Sequence, residues 1–155
     1  MGWNEENIKK MCEGTKTDVS YCVMRHLTVE DVDDIMTTAI EGGIGYWCVL
    51  DNTTESWLKA EAQLKEKGIE LYWGTVATKV LLNGDEIRMY DAEADEEELQ
   101  EDEIWNLDLQ GFVRGCKIYE QERGSLTKNL EDGNFDAVEA DCLIQYALFG
   151  EIVFG

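Results

Sequence analysis

The sequence predicts an α+β fold: a single domain over residues 1–155, with helices packed on a mixed or antiparallel sheet. Apolar residues recur at spacings of three and four between residues 29 and 40, which is the periodicity of an amphipathic helix. Residues 18–27 alternate between two faces, as the residues of a strand do. Predicted helices and strands are interspersed without strict alternation, which favours α+β over α/β.

The central predicted unit is a helix, a glycine pair and a strand. Thr28 is placed to cap the helix, with Asp31 where a capping box carries Glu or Gln. Gly42 and Gly43 are expected to end the helix in the left-handed conformation that glycine adopts without a steric penalty. The apolar run over residues 44–50 then predicts an interior strand.

The remaining elements follow from the same patterns. Residues 1–17 form an N-terminal extension that includes a short helix, and residues 75–82 suit either a helix or a strand. Residues 35–46 and 143–154 share a helix–glycine–strand pattern, so their two strands are candidate neighbours in the sheet. Further helices are predicted over 55–67, 108–122 and 138–149, and further strands over 69–73, 86–90, 105–107 and 151–154.

Charge is the strongest compositional signal. The chain has 34 acidic and 13 basic side chains, a net charge of −21. This balance argues against direct binding of nucleic acid and against an anionic membrane surface, because both need clustered Lys and Arg. Five cysteines are scattered without a Cys-x-x-Cys pair, and no secretion signal or membrane-spanning run opens the chain, so we expect a reduced, cytoplasmic protein.

An acidic segment, residues 91–103, has nine carboxylates in thirteen residues and is predicted to be a solvated loop. Its acidity can serve solubility alone. It can also mimic the charge of a nucleic acid and bind a basic groove on another protein. The candidate residues for this protein interaction are Asp95, Glu96, Glu97, Glu98, Glu101, Asp102 and Glu103.

Motifs for catalysis, metals and cofactors are not found. The sequence has no P-loop, Rossmann glycine pattern or serine nucleophile elbow. His26 and Cys22 lie four apart on a predicted strand, too far for a catalytic pair. Asp132-x-Asn134-x-Asp136 begins like a calcium loop, but alanine and leucine follow where glycine and glutamate are required. We therefore expect no cofactor, no metal and no enzymatic activity.

Several strings resemble a family of small proteins encoded by phages and prophages, mostly of Gram-positive bacteria. The signature is Ala-Ile-Glu-Gly-Gly-Ile-Gly-Tyr-Trp at residues 39–47, and residues 87–93, 105–115 and 140–155 also match that family. The resemblance covers residues 28–155, whereas the first two dozen residues have no counterpart and residues 74–83 depart from the pattern. It implies a phage or prophage origin and no particular reaction.

The signature also suggests a ligand site. Two adjacent glycines let a ligand approach the backbone, an aromatic ring can stack on a base, and a carboxylate can accept from a ribose hydroxyl or an exocyclic amine. The candidate ligand-binding residues are Glu41, Gly42, Gly43, Tyr46, Trp47 and Arg88. An anionic ligand also needs a basic patch, and the cations available on predicted elements are Arg25, Lys79, Arg88, Arg114 and Lys117.

Two functions remain open at this point. The first is a phage accessory protein that acts by binding and counters host defence by sequestering a small nucleotide-like immune signal. The second is an acidic, nucleic-acid-mimicking inhibitor that binds a host nuclease or another protein. Either can act as a homo-oligomer, and an assembly protein is a third class.

Overall fold

A computed structural model describes residues 4–14 and 18–155. Within these residues the chain folds into seven α-helices and a three-stranded antiparallel sheet, as the α+β prediction required. The helices are α1 (Glu5–Cys12), α2 (Val29–Thr38), α3 (Glu55–Glu66), α4 (Trp73–Leu82), α5 (Leu109–Arg123), α6 (Leu126–Glu131) and α7 (Ala137–Phe149). The strands are β1 (Cys48–Leu50), β2 (Ile87–Asp91) and β3 (Ile104–Leu107).

The sheet has the order β1-β2-β3, and its register decides which side chains enter the core. Met89 lies opposite both Leu50 and Trp105, and Ile87 lies opposite Leu107. Because opposed residues of an antiparallel pair share a face, these side chains together cover one side of the sheet. The helices pack on that side, where Ile87, Met89 and Leu107 are buried.

Helix starts follow the predicted capping chemistry closely. The Thr28 hydroxyl accepts from the Asp31 main-chain N–H, and the Asp31 carboxylate accepts from the Thr28 N–H, which completes the expected capping box. The Thr54 hydroxyl caps α3 by accepting from the Trp57 N–H, and the Asp108 carboxylate caps α5 by accepting from the Gly111 N–H. Gly150 ends α7 with φ +76°, a left-handed conformation that favours glycine.

The glycine pair after α2 does not adopt the left-handed conformation that we expected. Residues Ala39–Gly43 continue α2 as a π-helical turn, and neither Gly42 nor Gly43 has a positive φ. The Ile44 N–H donates to the Ala39 carbonyl and the Cys48 N–H donates to the Ile44 carbonyl. The predicted strand over residues 44–50 is therefore a tight turn followed by the short strand β1.

Two other predicted strands are absent from the sheet. Residues 69–72 form an irregular connection that leads directly into α4, which settles residues 73–82 as a helix. Residues 151–154 have no strand partner because the Gln145 side chain takes that place. Its Oε1 accepts from the Val153 and Phe154 N–H groups at 2.7 and 2.8 Å, and its Nε2 donates to the Phe154 carbonyl. The two helix–glycine units are thus not neighbours in the sheet.

The predicted strand over residues 18–27 is extended but is not part of the sheet. We call this segment the strap. It runs beside α5, where the Arg25 Nε donates to the Glu120 carboxylate at 3.0 Å. Of the predicted N-terminal extension, residues 1–3 and 15–17 lie outside the described residues. Helix α6 lies between Gly124 and Gly133, where no helix or strand is predicted from the sequence.

Close helix crossings define the core. Helix α2 packs on α4, and α5 packs on α7. A Cβ on Gly74 would lie 2.5 Å from the Thr37 Cα, and a Cβ on Gly115 would lie 2.9 Å from the Ala147 Cα. Both glycines are needed because their partners are main-chain atoms, which cannot move aside as a flexible side chain could.

We predict that Gly74→Ala destabilises the protein by about 1–3 kcal/mol, since the methyl group forces α2 and α4 apart. The same exchange in an unstrained helix would normally stabilise. Gly45→Ala is the matched control, because a Cβ there meets nothing within 4 Å. Urea unfolding of both variants measures the effect, and equal stabilities would show that the α2–α4 crossing tolerates a methyl group.

Candidate functional site

The predicted glycine-turn site is closely packed against α7. A Cβ on Gly43 would lie 2.9 Å from the Ala137 carbonyl oxygen, so this glycine lets the turn approach the first residue of α7. Gly42 and Glu41 are exposed beside it. Gly43 therefore has a packing role that explains its presence without a ligand.

Tyr46 and Trp47 both bond to one carboxylate on α7. The Tyr46 hydroxyl donates to Asp141 Oδ2 at 2.6 Å, and the Trp47 Nε1 donates to Asp141 Oδ1 at 2.8 Å. The Gln145 Nε2 donates to the same Oδ1 at 2.9 Å. Desolvation raises the pKa of the Tyr46 hydroxyl to about 12, and the Asp141 carboxylate adds to the rise. Tyr46 therefore remains a neutral hydrogen-bond donor at physiological pH.

The indole of Trp47 is enclosed by other rings. It is only 2 % exposed, whereas Tyr46 is 57 % exposed. Phe154 stacks on it with centroids 4.9 Å apart, and Trp105 and Phe149 contact it at tilted angles. Stacking of a base on Trp47 stays a prediction that requires Phe154 to be displaced first.

Arg88 is not brought to the glycine turn. It lies on β2 between buried Ile87 and Met89, so its side chain projects from the opposite face of the sheet. There its guanidinium bonds the Asp51 carboxylate at 2.6 Å. Burial opposes ionisation of Asp51, but the hydrogen bonds from Thr53 and Arg88 outweigh it and lower the pKa of that carboxyl. Arg88 is thus committed to an ion pair on another surface.

The other predicted cations are also dispersed, with one exception. Arg114 donates to the Ala147 carbonyl, and Lys79 is half-buried on α4. Arg25 and Lys117, by contrast, line the same groove. The structure brings together two of the five cations that were candidates for a basic patch.

That groove lies between the strap and α5 and has a volume of about 810 Å³. Alternate strap residues face it, namely Tyr21, Val23, Arg25 and Leu27. The alternation in the sequence therefore identified this face correctly, although it belongs to no sheet. The opposite wall and floor come from α2, α4, α5 and α6, chiefly through Val32, Leu82, Leu109, Phe112, Val113, Cys116, Lys117, Glu120, Gln121, Leu126 and Thr127.

Electrostatics within the groove leave one ammonium available. Arg25 is neutralised by Glu120 at 3.0 Å. Lys117 is exposed and forms no ion pair with any residue that the structure describes. Burial raises the pKa of the Cys116 thiol to about 12, so the groove presents a neutral thiol rather than a nucleophilic thiolate. These groups suit binding better than covalent chemistry.

The acidic segment forms a series of hydrogen-bonded turns and presents most of its carboxylates to solvent. The Asp95 carboxylate accepts from the Glu97 N–H, and Gln100 donates its N–H to Glu103 at the start of a 3₁₀ turn, Glu101–Glu103. Glu96 accepts from the Tyr90 hydroxyl. Of the candidate interaction residues, the six that are exposed are Asp95, Glu96, Glu97, Glu98, Glu101 and Asp102.

Searches against protein-family models, curated proteins and solved structures each returned no match to this chain. Among the described residues no group of three or more His, Cys, Asp or Glu side chains is arranged to hold a metal ion. None of the helices in residues 4–14 and 18–155 has the length and apolarity needed to cross a membrane.

Trp47→Ala is expected to destabilise the protein by about 3–5 kcal/mol, because it empties a fully buried site and removes the bond to Asp141. Tyr46→Phe removes the other Asp141 bond at an exposed position and should cost about 1 kcal/mol or less. Chemical denaturation of both variants measures the difference. Similar values for the two variants would contradict the structural role of Trp47.

Proposed function

We propose that the protein acts by binding, and that the groove between the strap and α5 holds a small nucleotide-like ligand. The observation that carries this proposal is an open groove of about 810 Å³, largely apolar, with the unpaired ammonium of Lys117 at its wall. Small-molecule sites have this volume and this combination of apolar lining with a few convergent polar groups.

Each part of such a ligand has a chemical counterpart in the groove. Tyr21 is 87 % exposed and offers a ring on which a base can stack. Lys117 can pair with a phosphate, and Gln121 and Thr127 can exchange hydrogen bonds with a ribose or base edge. The rest of the chain is strongly acidic and repels an anionic ligand. Binding of an anion is therefore favoured only where a cation without an ion-pair partner lies against apolar surface.

The biological role that we propose is counter-defence by sequestration. The resemblance of residues 28–155 to phage and prophage proteins supports a phage accessory protein. A neutral Cys116 and a lone exposed ammonium provide a means of holding a ligand without transforming it. A phage protein that binds an immune nucleotide tightly would withdraw the signal from the host cytoplasm.

The test is thermal stabilisation of the purified protein by a panel of cyclic and ADP-ribose-type nucleotides. A ligand at 100 times its Kd stabilises by about 2.7 kcal/mol, which raises Tm by about 5–10 °C for a chain of this size. We expect Lys117→Glu to abolish the shift, because it replaces the phosphate partner with a like charge.

Lys128→Glu is the matched control, since it makes the same charge change on an exposed residue of α6 outside the groove. It should retain the full thermal shift. Equal loss in both variants would indicate a general effect of net charge, and no shift with any nucleotide would remove the support for a nucleotide site.

A second candidate function is inhibition of a host nuclease by charge mimicry. The observation that favours it is that Asp95, Glu97, Glu98, Glu101 and Asp102 are all exposed on a short ordered segment. An ordered array of carboxylates can present a fixed negative pattern to a DNA-binding groove at little cost in conformational entropy.

We expect a variant with amides at Glu97, Glu98, Glu101 and Asp102 to lose inhibition in a panel of DNA-cleaving nucleases, if mimicry is the function. The control neutralises four other exposed carboxylates, Glu66, Glu122, Glu131 and Glu151. Inhibition that falls equally in the two variants would attribute the effect to total charge rather than to the acidic segment.

A further inference from the structure

The strap is an extended segment whose main chain forms no hydrogen bond to the rest of the described residues. None of the main-chain hydrogen bonds among the described residues involves residues 18–27. Its groove-facing side chains are strongly exposed, with Tyr21 at 87 % and Val23 at 59 %. An extended strand with free N–H and C=O groups on its edges is a template for pairing with another strand.

The strap also lacks the features that protect natural sheet edges. Residues 19–24 read Val-Ser-Tyr-Cys-Val-Met, without a charge or a proline. Edges that must stay unpaired usually have lysine, proline or a bulge. The β-branched and aromatic residues at alternate positions are those that favour cross-strand pairing.

Charge makes the strap a favourable place for two copies to approach. Asp18 and Arg25 cancel, so residues 18–27 have no net charge, whereas the whole chain has −21. Two acidic surfaces repel each other at most orientations. Contact between neutral straps avoids most of that repulsion.

We propose that the strap pairs antiparallel with the strap of a second copy of this chain, which forms a two-stranded ribbon around a twofold axis. The twofold axis is perpendicular to the plane of the ribbon. Each even-numbered residue therefore lies opposite an even-numbered residue of the other copy, and each odd-numbered residue lies opposite an odd-numbered one. The side chains on the groove side remain on one face of the ribbon. The pairing uses the main-chain edges of the strap rather than its groove-facing side chains, so the inference goes beyond the proposed binding function.

The sequence selects a register centred on Cys22. In that register Tyr21 lies opposite Val23 of the second copy, an aromatic and β-branched pair of the kind that stabilises sheets. Ser20 lies opposite Met24, and Cys22 lies opposite its own counterpart. Directly opposed residues have Cα atoms about 4.5–5.5 Å apart, which is within the range that a disulfide spans.

Charge variants on the outer face of the strap test the ribbon directly. Ser20 and Met24 are exposed and do not line the groove. In the Cys22-centred register, residue 20 of each copy lies opposite residue 24 of the other copy. A variant with Ser20→Asp and Met24→Asp therefore has two opposed pairs of carboxylates in the dimer, and a variant with Ser20→Lys and Met24→Lys has two opposed pairs of ammonium groups. We expect each variant alone to self-associate about tenfold more weakly than the unmodified chain in sedimentation equilibrium.

An equimolar mixture of the two variants should recover association through the mixed dimer, because each opposed pair in that dimer combines a carboxylate with an ammonium. Recovery in the mixture would exclude simple misfolding of either variant. Unchanged self-association of the separate variants would place the interface elsewhere and overturn the proposal. A strictly monomeric unmodified chain at all concentrations would also overturn it.

Thiol crosslinking tests the register. Oxidised glutathione accepts the two electrons of a pair of Cys22 thiols and leaves as two reduced glutathiones, so a disulfide between the two copies forms. We expect a covalent dimer that is lost in Cys22→Ser and kept in Cys12→Ser. A dimer crosslinked through a cysteine other than Cys22 would overturn the Cys22-centred register.

Discussion

A single carboxylate, that of Asp141, holds together parts of the chain that are distant in sequence. It accepts hydrogen bonds from Tyr46, Trp47 and Gln145, so the turn before β1 is fixed on α7. Gln145 in turn bonds the main chain of residues 153 and 154, which brings Phe154 onto Trp47. Among the described residues no buried side-chain nitrogen or oxygen lacks a partner, as a network of this kind requires.

Local signals in the sequence predicted the helices well, and tertiary contacts explain the exceptions. The capping box of Thr28 and Asp31 was predicted because capping depends on residues within one turn. The end of the chain reads as a strand, yet the amide of Gln145 satisfies its backbone instead of a neighbouring strand. Nothing local in the sequence shows that a helical glutamine will bond a segment eight residues later.

The sequence predicted the two sides of the groove as separate elements and did not show that they face each other. The alternation over residues 18–27 predicted a strand, and the apolar spacing predicted a helix over 108–122, which the structure places on opposite sides of the groove. Their separation by about ninety residues meant that no periodicity could show them facing each other across a groove. The ligand site was predicted at residues 39–47 because adjacent glycine and aromatic residues are typical of ligand sites. The same residues are also typical of closely packed turns. The structure supports packing through Gly43 and Trp47.

The attachment of Phe154 to Trp47 also affects the order of events during synthesis. The ring pair joins residues separated by more than a hundred positions, and Asp141 is almost as distant from Trp47. A ribosome adds about 5–20 residues per second, so the first half of the domain spends several seconds exposed before these partners emerge. During that interval Trp47 and the glycine turn have no helix α7 to pack against. Completion of the core therefore has to wait for residues 141–154, and a net charge of −21 disfavours aggregation during that interval.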